Sequence, residues 1–237
     1  MGCAQWLGFK IDVGNPGAPV LLLLIGLLCA LPAYAQPQQG QQHRGPSDLQ
    51  KYIEELERPD RDKDQKPDEV VKALNIDQYM TIADIGAGSG YFTRKFVWVL
   101  QDKGMVYAVD TEPGLLKYNE EMADHLHTPY NAKFIVAKAG DPLLPPKSVD
   151  LVFLCNTFHH LEKRADYFTR VKTALAKNGR VAIIDFWTDG RAGDLGFPPD
   201  HLVARETVIS EMTAAGYTLS KEHTFLPKQY FLEFVPK

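Results

Sequence analysis

Ile82-Ala83-Asp84-Ile85-Gly86-Ala87-Gly88-Ser89-Gly90-Tyr91-Phe92 is the stretch whose reading decides the fold. A short apolar run of strand character passes through three alternate glycines into Tyr91 to Val99, where apolar residues recur at helical spacing. The glycines remove Cβ atoms where the chain must bend tightly and where a ligand must come close to the backbone, and the helix start offers unpaired N–H groups. In an open α/β sheet this junction lies at the crevice where a nucleotide-like ligand binds, although many α/β domains use such a turn for the connection alone.

Acids at fixed stations narrow the choice. A second strand, Val106 to Val109, ends in Asp110, one strand–helix–strand unit downstream, where a carboxylate can accept both hydroxyls of a ribose. The loop departs from the dinucleotide spacing G-x-G-x-x-G, because Gly86-Ala87-Gly88-Ser89-Gly90 is followed by Tyr91. Asp84, just ahead of the glycines, repels a phosphate and suits a cation. A ribose-bearing ligand with sulfonium and ammonium groups satisfies both acids.

On these residues the chain resembles the class I S-adenosylmethionine-dependent methyltransferases, in particular the type 11 group related to the ubiquinone and menaquinone C-methyltransferases. The resemblance runs from about Glu57 to the C-terminus. It rests on Ala83 to Phe92, on Val106-Tyr107-Ala108-Val109-Asp110, on Ser148 to Val152 leading to Asn156-Thr157-Phe158-His159-His160-Leu161, and on Gly179 to Phe186. It implies a Rossmann-like three-layer α/β sandwich with a mostly parallel seven-stranded sheet and a C-terminal antiparallel hairpin. It also implies S-adenosyl-L-methionine as cofactor, bound by Asp84, Gly86, Ala87, Gly88, Gly90, Tyr91 and Asp110. Asn156 and Thr157 meet its methionine end, and Asp141 falls near the adenine station, in an Ala139-Gly140-Asp141-Pro142 sequence shifted from the family's acid–alanine pattern.

Methyl transfer from a sulfonium is an in-line displacement, so positioning and water exclusion carry most of it. A base helps when the acceptor is an oxygen, a nitrogen or an acidic carbon. His159 and His160 follow the fourth strand, where the acceptor lies, and His160 is the favoured base of the two. The alternative is that one or both cap the next helix or bond to backbone. Asp185, at the end of the fifth strand, orients an acceptor or accepts turn N–H groups. No metal site is expected: there is no C-x-x-C, and adjacent histidines on a strand point in opposite directions.

The pattern from Met80 onward alternates strand and helix. Strands are expected at Thr81–Ile85, Val106–Val109, Lys133–Val136, Val149–Cys155 and Arg180–Phe186, with helices at Tyr91–Gln101, Gly114–His125 and Ala165–Ala176, the last stopped by Asn178-Gly179 in a left-handed cap. A helix near Glu206–Ala215 precedes a closing hairpin, Tyr217–Phe225 with Gln229–Val235. Ahead of the sheet, residues 47–79 read as a helical cover. Ser47 and Gln50 form a capping box for a helix with Leu49, Tyr52, Ile53 and Leu56 on one face, Glu57 to Lys66 is a solvated loop, and Pro67 opens a helix through Leu74.

The 237 residues, 45% hydrophobic and 24% charged, suit one globular domain, here 47–237. A net charge of −4 without a basic run argues against nucleic acid and for a small-molecule methyl acceptor. The apolar run from about Ala18 to Leu31, followed by Ala33-Tyr34-Ala35, reads as a signal peptide over 1–35, with a polar tether over 36–46. Export to the periplasm or beyond is then expected, with no membrane insertion after cleavage; an uncleaved anchor is the alternative. Cleavage leaves Cys155 as the sole cysteine, without a disulfide. An oxidoreductase and an exported binding protein that takes up the donor without turnover stand as the competing functions.

Overall fold

A computed structural model describes residues 48–127, 129–193, 195 and 201–237. The expected signal peptide and tether lie outside these residues. Among the described residues no helix is long and apolar enough to cross a membrane.

Five parallel strands make the body of the sheet: β1 (Thr81–Ile85), β2 (Met105–Asp110), β3 (Ala132–Val136), β4 (Val149–Cys155) and β5 (Leu175–Phe186). β6 (Tyr217–His223) and β7 (Gln229–Pro236) close it as an antiparallel pair, giving the order β3-β2-β1-β4-β5-β7-β6. The order reverses at β1, so β1 and its neighbour β4 flank the switch point where an open α/β sheet forms its ligand crevice.

Alternation along the strands sends side chains to two cores. Ile82, Val106, Leu151, Phe153 and Ile184 join Phe92, Phe96 and Val97 of helix α4 (Tyr91–Leu100) on one face, with Phe153 4.8 Å from Phe92 and 5.1 Å from Phe96 between ring centres. Ala83, Val109, Val152, Leu154 and Ile183 turn the other way, onto Phe168 and Val171 of α6 (Arg164–Ala174) and Val208 and Met212 of α7 (Arg205–Ala214). Burial on both faces is why these strands read as nearly continuous apolar runs. Helix α5 (Pro113–Asp124) completes the crossover from β2 to β3.

The cover consists of α1 (Leu49–Leu56), α2 (Arg61–Gln65) and α3 (Pro67–Ala73). Three expectations give way at this level. The N-cap of α1 is Asp48, whose carboxylate accepts the Lys51 N–H at 3.1 Å; Ser47 lies outside the described residues. The charged stretch 57–66 is not a solvated loop, because it folds as α2 and docks on the sheet domain. Glu57 pairs with Arg94 at 2.8 Å, Asp64 with Lys228 at 2.6 Å, Asp62 accepts from the Tyr91 hydroxyl, and Gln65 is buried. Helix α6 ends at Ala174 and runs directly into β5, and Gly179 is not left-handed. A Cβ at Gly179 would meet the Val149 carbonyl oxygen at 2.6 Å, so glycine is required there by the close approach of β4, not by a cap.

Candidate active site

The glycine turn is held between the ends of β1 and β2. Gly86, Gly88 and Gly90 all have positive φ, at 71°, 54° and 91°. The Gly86 and Ala87 N–H groups donate to the Val109 carbonyl at 2.8 and 3.1 Å, and the Gly88 N–H donates to the Asp110 carboxylate at 2.8 Å. Asp110 also accepts from the Glu112 N–H at 3.0 Å. Each carboxylate oxygen accepts more than one hydrogen bond, so Asp110 ties the turn to β2 and keeps capacity for hydroxyl donors.

Asp84 is buried beneath the turn, where the Thr93 hydroxyl donates to it at 2.6 Å and the Asn119 amide in turn donates to Thr93 at 3.1 Å. Burial pushes the Asp84 carboxyl up to about 7, against the lowering effect of the Thr93 bond, with Asp110 adding to the rise and Arg61 opposing it. Asp110 is also raised by burial, against backbone N–H bonds from Glu112, Gly88 and Thr111. Two desolvated acids beside a glycine turn form a site whose ionised state a cation would stabilise.

The cover lies over this turn. Leu56 of α1 comes within 3.3 Å of where a Gly88 Cβ would stand, and Leu49 within 2.4 Å of a Gly114 Cβ. The Arg61 guanidinium sits 4.1 Å above the Tyr91 ring, and its charge acts on Asp84 and Cys155. Tyr91 is engaged by Arg61 and Asp62 and borders a groove of about 710 Å³ on the outer side of α4, with Arg94 and Trp98. Neither Asp84 nor Asp110 lines that groove.

At the end of β4, Asn156 adopts φ 55°, a left-handed conformation that asparagine tolerates better than most residues. Its side-chain carbonyl oxygen accepts from the Gln229 amide at 2.6 Å, and its backbone N–H donates to the Ile184 carbonyl at 2.9 Å. The buried Gln229 Oε1 has no hydrogen-bond partner among the described residues. Thr157 fills the space against Gly86, where a Cβ would meet its hydroxyl at 2.2 Å. Beside them Cys155 is half-buried, and burial pushes its thiol up to about 12, which makes it a packed thiol and not a nucleophile.

His159 and His160 stand on a single 3-10 turn, Phe158–His160, and not on a strand. This overturns the expectation that their rings diverge. The ring centres are 4.1 Å apart, and His201 from the segment before α7 closes the group at 5.1 Å from His159 and 5.0 Å from His160. His159 Nδ1 lies 2.7 Å from the Asp185 carboxylate, both side chains being almost fully buried, and the other Asp185 oxygen accepts the His159 N–H at 3.1 Å. His160 is exposed. The Asp185 carboxylate thus partners His159, while His160, the base favoured from the sequence, is the exposed ring of the two.

Asp141 is not brought to the crevice. Its carboxylate accepts the Leu143 N–H at 2.9 Å and lies 4.0 Å from Arg170 of α6, so it serves its own turn. Thr93, Asn119, Arg61, Gln229 and His201 border the site without having been singled out in the sequence. Thr93 and Asn119 carry one retrievable signal, a polar residue inside an otherwise apolar helix face.

A mostly parallel seven-stranded sheet with an antiparallel terminal pair, a glycine turn after β1 and an acid after β2 is the arrangement of the class I S-adenosylmethionine-dependent methyltransferases. Residues 83–183 match the family of the methyltransferase domain, type 11, and the cofactor of such domains is S-adenosylmethionine. A solved S-adenosylmethionine-dependent methyltransferase from Aquifex aeolicus superimposes with a TM-score of 0.72 at 25% identity, over 80% of this chain and 98% of that one. A tRNA U34 carboxymethyltransferase from Haemophilus influenzae is 26% identical over 147 residues, 61% of this chain and 44% of that protein. Phosphoethanolamine N-methyltransferase 3 from Arabidopsis thaliana is 34% identical over 96 residues, 40% of this chain and 18% of that protein. The chain thus spans less than half the length of these curated relatives.

Proposed function

We propose that this chain transfers the methyl group of S-adenosylmethionine to a small-molecule acceptor held at the His159–His160–His201 end of the crevice. The observation that carries the reading is the glycine turn held between Asp84 and Asp110, two desolvated carboxylates on either side of a backbone stripped of Cβ atoms. When bound, the donor supplies an electrophilic methyl group on a sulfonium whose positive charge is lost on transfer.

In this reading Asp110 accepts the ribose hydroxyls while retaining its Gly88 bond, and Asp84 balances positive charge through the turn. Asn156 and Gln229 take the amino-acid end, Gln229 Oε1 accepting from the ammonium. The α1–α2 cover excludes water from the reacting atoms. His159, its ring fixed by Asp185, walls the acceptor end, where the acceptor's proton must leave. A small molecule is favoured over a nucleic acid by the net charge of −4 and by a cover that overlies the turn, although one relative is named for tRNA. Kinship with the quinone C-methyltransferases enters on the motifs alone.

Calorimetric titration with S-adenosylmethionine tests donor binding, with NADH as the competing ligand. Labelled donor with a metabolite extract and, separately, with an RNA fraction then identifies the acceptor by mass spectrometry. Label in small molecules supports the reading. Label in RNA replaces the acceptor class, NADH binding replaces the reaction, and donor binding without transfer to either fraction makes the chain a binding protein.

A further inference from the structure

Among the described residues, three imidazoles converge at one place. We propose that His159, His160 and His201 form a binding site for a divalent transition-metal ion such as Zn2+ at the acceptor end of the crevice. One ligand nitrogen from each ring lies within 4.8 Å of the other two. His160 Nδ1 and His201 Nε2 are 3.3 Å apart, and two nitrogens bound at 2.0–2.1 Å to one tetrahedral ion are separated by about 3.3 Å. The third nitrogen stands within 4.8 Å of those two, so closing all three onto one ion needs a shift of up to about 1.5 Å, which the less buried His160 and His201 rings can make.

The surroundings are those a histidine ligand uses. Asp185, 2.7 Å from His159 Nδ1, fixes that ring with Nδ1 protonated, which leaves the Nε2 lone pair for an ion. Asp185 is itself locked by the backbone N–H groups of His159 at 3.1 Å and Phe186 at 2.8 Å. The 3-10 turn is anchored by the fully buried Phe158. His201 is positioned through the chain on its C-terminal side: the Val203 carbonyl accepts from the Tyr230 hydroxyl at 3.0 Å, and Arg164 clasps Glu211 to hold α7 against α6. Burial is graded from the buried His159 through the half-buried His201 to the exposed His160, so an ion reaches the site from the solvent side.

Neutral imidazoles suit zinc, copper, iron and nickel, and a set of three leaves a coordination position open. This has a consequence that rests on the methyl-transfer reading: an acceptor hydroxyl bound at the open position loses its proton to water, and its oxygen lone pair forms the new bond to the methyl carbon. The carbon–sulfur bond breaks with its electron pair going to sulfur, which becomes a neutral thioether. The acceptor class that fits is an ionisable oxygen, a phenol or an enol. The competing account is a packed aromatic cluster held by an imidazole–imidazole hydrogen bond.

The test uses the full chain, stripped with a chelator and titrated with Zn2+ against a chromophoric competitor, with Co2+ as a spectroscopic probe. One ion per chain is expected. Asp185→Asn should weaken it by about 10–100-fold, and His160→Ala and His201→Ala, which remove ligands, by at least as much. Those two histidine variants keep the buried His159–Asp185 pair, so circular dichroism melts should show them folded and calorimetry should show donor affinity retained. No stoichiometric uptake, or uptake that survives both His160→Ala and His201→Ala, overturns the site. Donor titration on the same samples separates the two readings: an ion without donor binding sinks the methyltransferase function and leaves the metal site standing.

Discussion

Asp185 holds His159 at two points: its carboxylate lies 2.7 Å from the ring Nδ1 and accepts the same residue's backbone N–H at 3.1 Å. The register explains why the two meet. Residue 156 bonds back to Ile184, so the chain leaving β4 turns beside the end of β5, and the 3-10 turn brings position 159 above position 185. A carboxylate in this place fixes one ring orientation and one tautomer.

Asp185→Ala is expected to destabilise the chain by about 2–5 kcal/mol, because the ring N–H and the backbone N–H groups of His159 and Phe186 lose their buried acceptor. Asp185→Asn keeps one acceptor oxygen and should cost roughly half as much. Urea denaturation of the three proteins checks both, and equal stability of Asp185→Ala and the parent chain contradicts the pairing.

Asp84 makes a pH signature. Its carboxyl is raised to about 7 by burial, so between the ordinary aspartate value and about 7 the folded chain holds a proton that the unfolded chain has lost. Stability without donor should fall as pH rises through that window, by up to about 1.4 kcal/mol per pH unit, and level off above it. A bound cation favours the ionised acid, so donor affinity should rise with pH by up to about tenfold per unit and flatten above about 7. Thr93, Asp110 and Arg61 face the same carboxyl and are unchanged in Asp84→Asn, which should bind more weakly and show a shallower dependence, the remainder being that of the raised Asp110. Calorimetry across the window in both proteins decides it.

How much of the fold and site is legible in the sequence varies with the range of the interaction. The glycine turn, the acid after β2 and the hairpin are local patterns, and strand periodicity carries them to the right elements. Boundaries slip where a tertiary contact overrides a local rule: Gly179 looks like a helix stop but is glycine because β4 passes 2.6 Å from its absent Cβ. The stretch 57–66 has the composition of a solvated loop, yet its charges find partners at Arg94 and Lys228, which no periodicity reveals. His201 joins the site across 41 residues, so no spacing points to it.

Gly86→Ala places a methyl 2.2 Å from the Thr157 hydroxyl at a φ of 71°. Overpacking and the left-handed backbone together should cost about 2–4 kcal/mol and displace the turn from Asp84 and Asp110. Thr157→Gly in the same chain opens the space and should recover the packing part alone. Thermal melts of the single and double variants measure the split; full recovery would mean that the backbone conformation costs nothing.

The first 35 residues give a prediction that is independent of the fold. If signal peptidase reads Ala33 and Ala35, material recovered from the cell envelope begins at Gln36. N-terminal sequencing returns that residue, whereas a membrane-embedded chain still starting at Met1 replaces cleavage by anchoring.

Asp110 separates the two tasks that one carboxylate performs. One is structural, through the Gly88 N–H at 2.8 Å and the Glu112 N–H at 3.0 Å; the other is the proposed acceptance of two ribose hydroxyls. Charge-assisted bonds of this kind contribute roughly 1.5–3 kcal/mol each, so Asp110→Ala should weaken donor binding at least about tenfold. Asp110→Asn keeps an oxygen for Gly88 but sets its NH2 against the Glu112 N–H, so it should lose some stability, less than Asp110→Ala, and bind more weakly. Calorimetry with S-adenosylmethionine and with its 2′-deoxyribose analogue completes the cycle: the analogue should bind the parent chain more weakly than the natural donor and should lose little further in Asp110→Asn. Equal loss of both ligands in that variant would assign Asp110 to the turn alone.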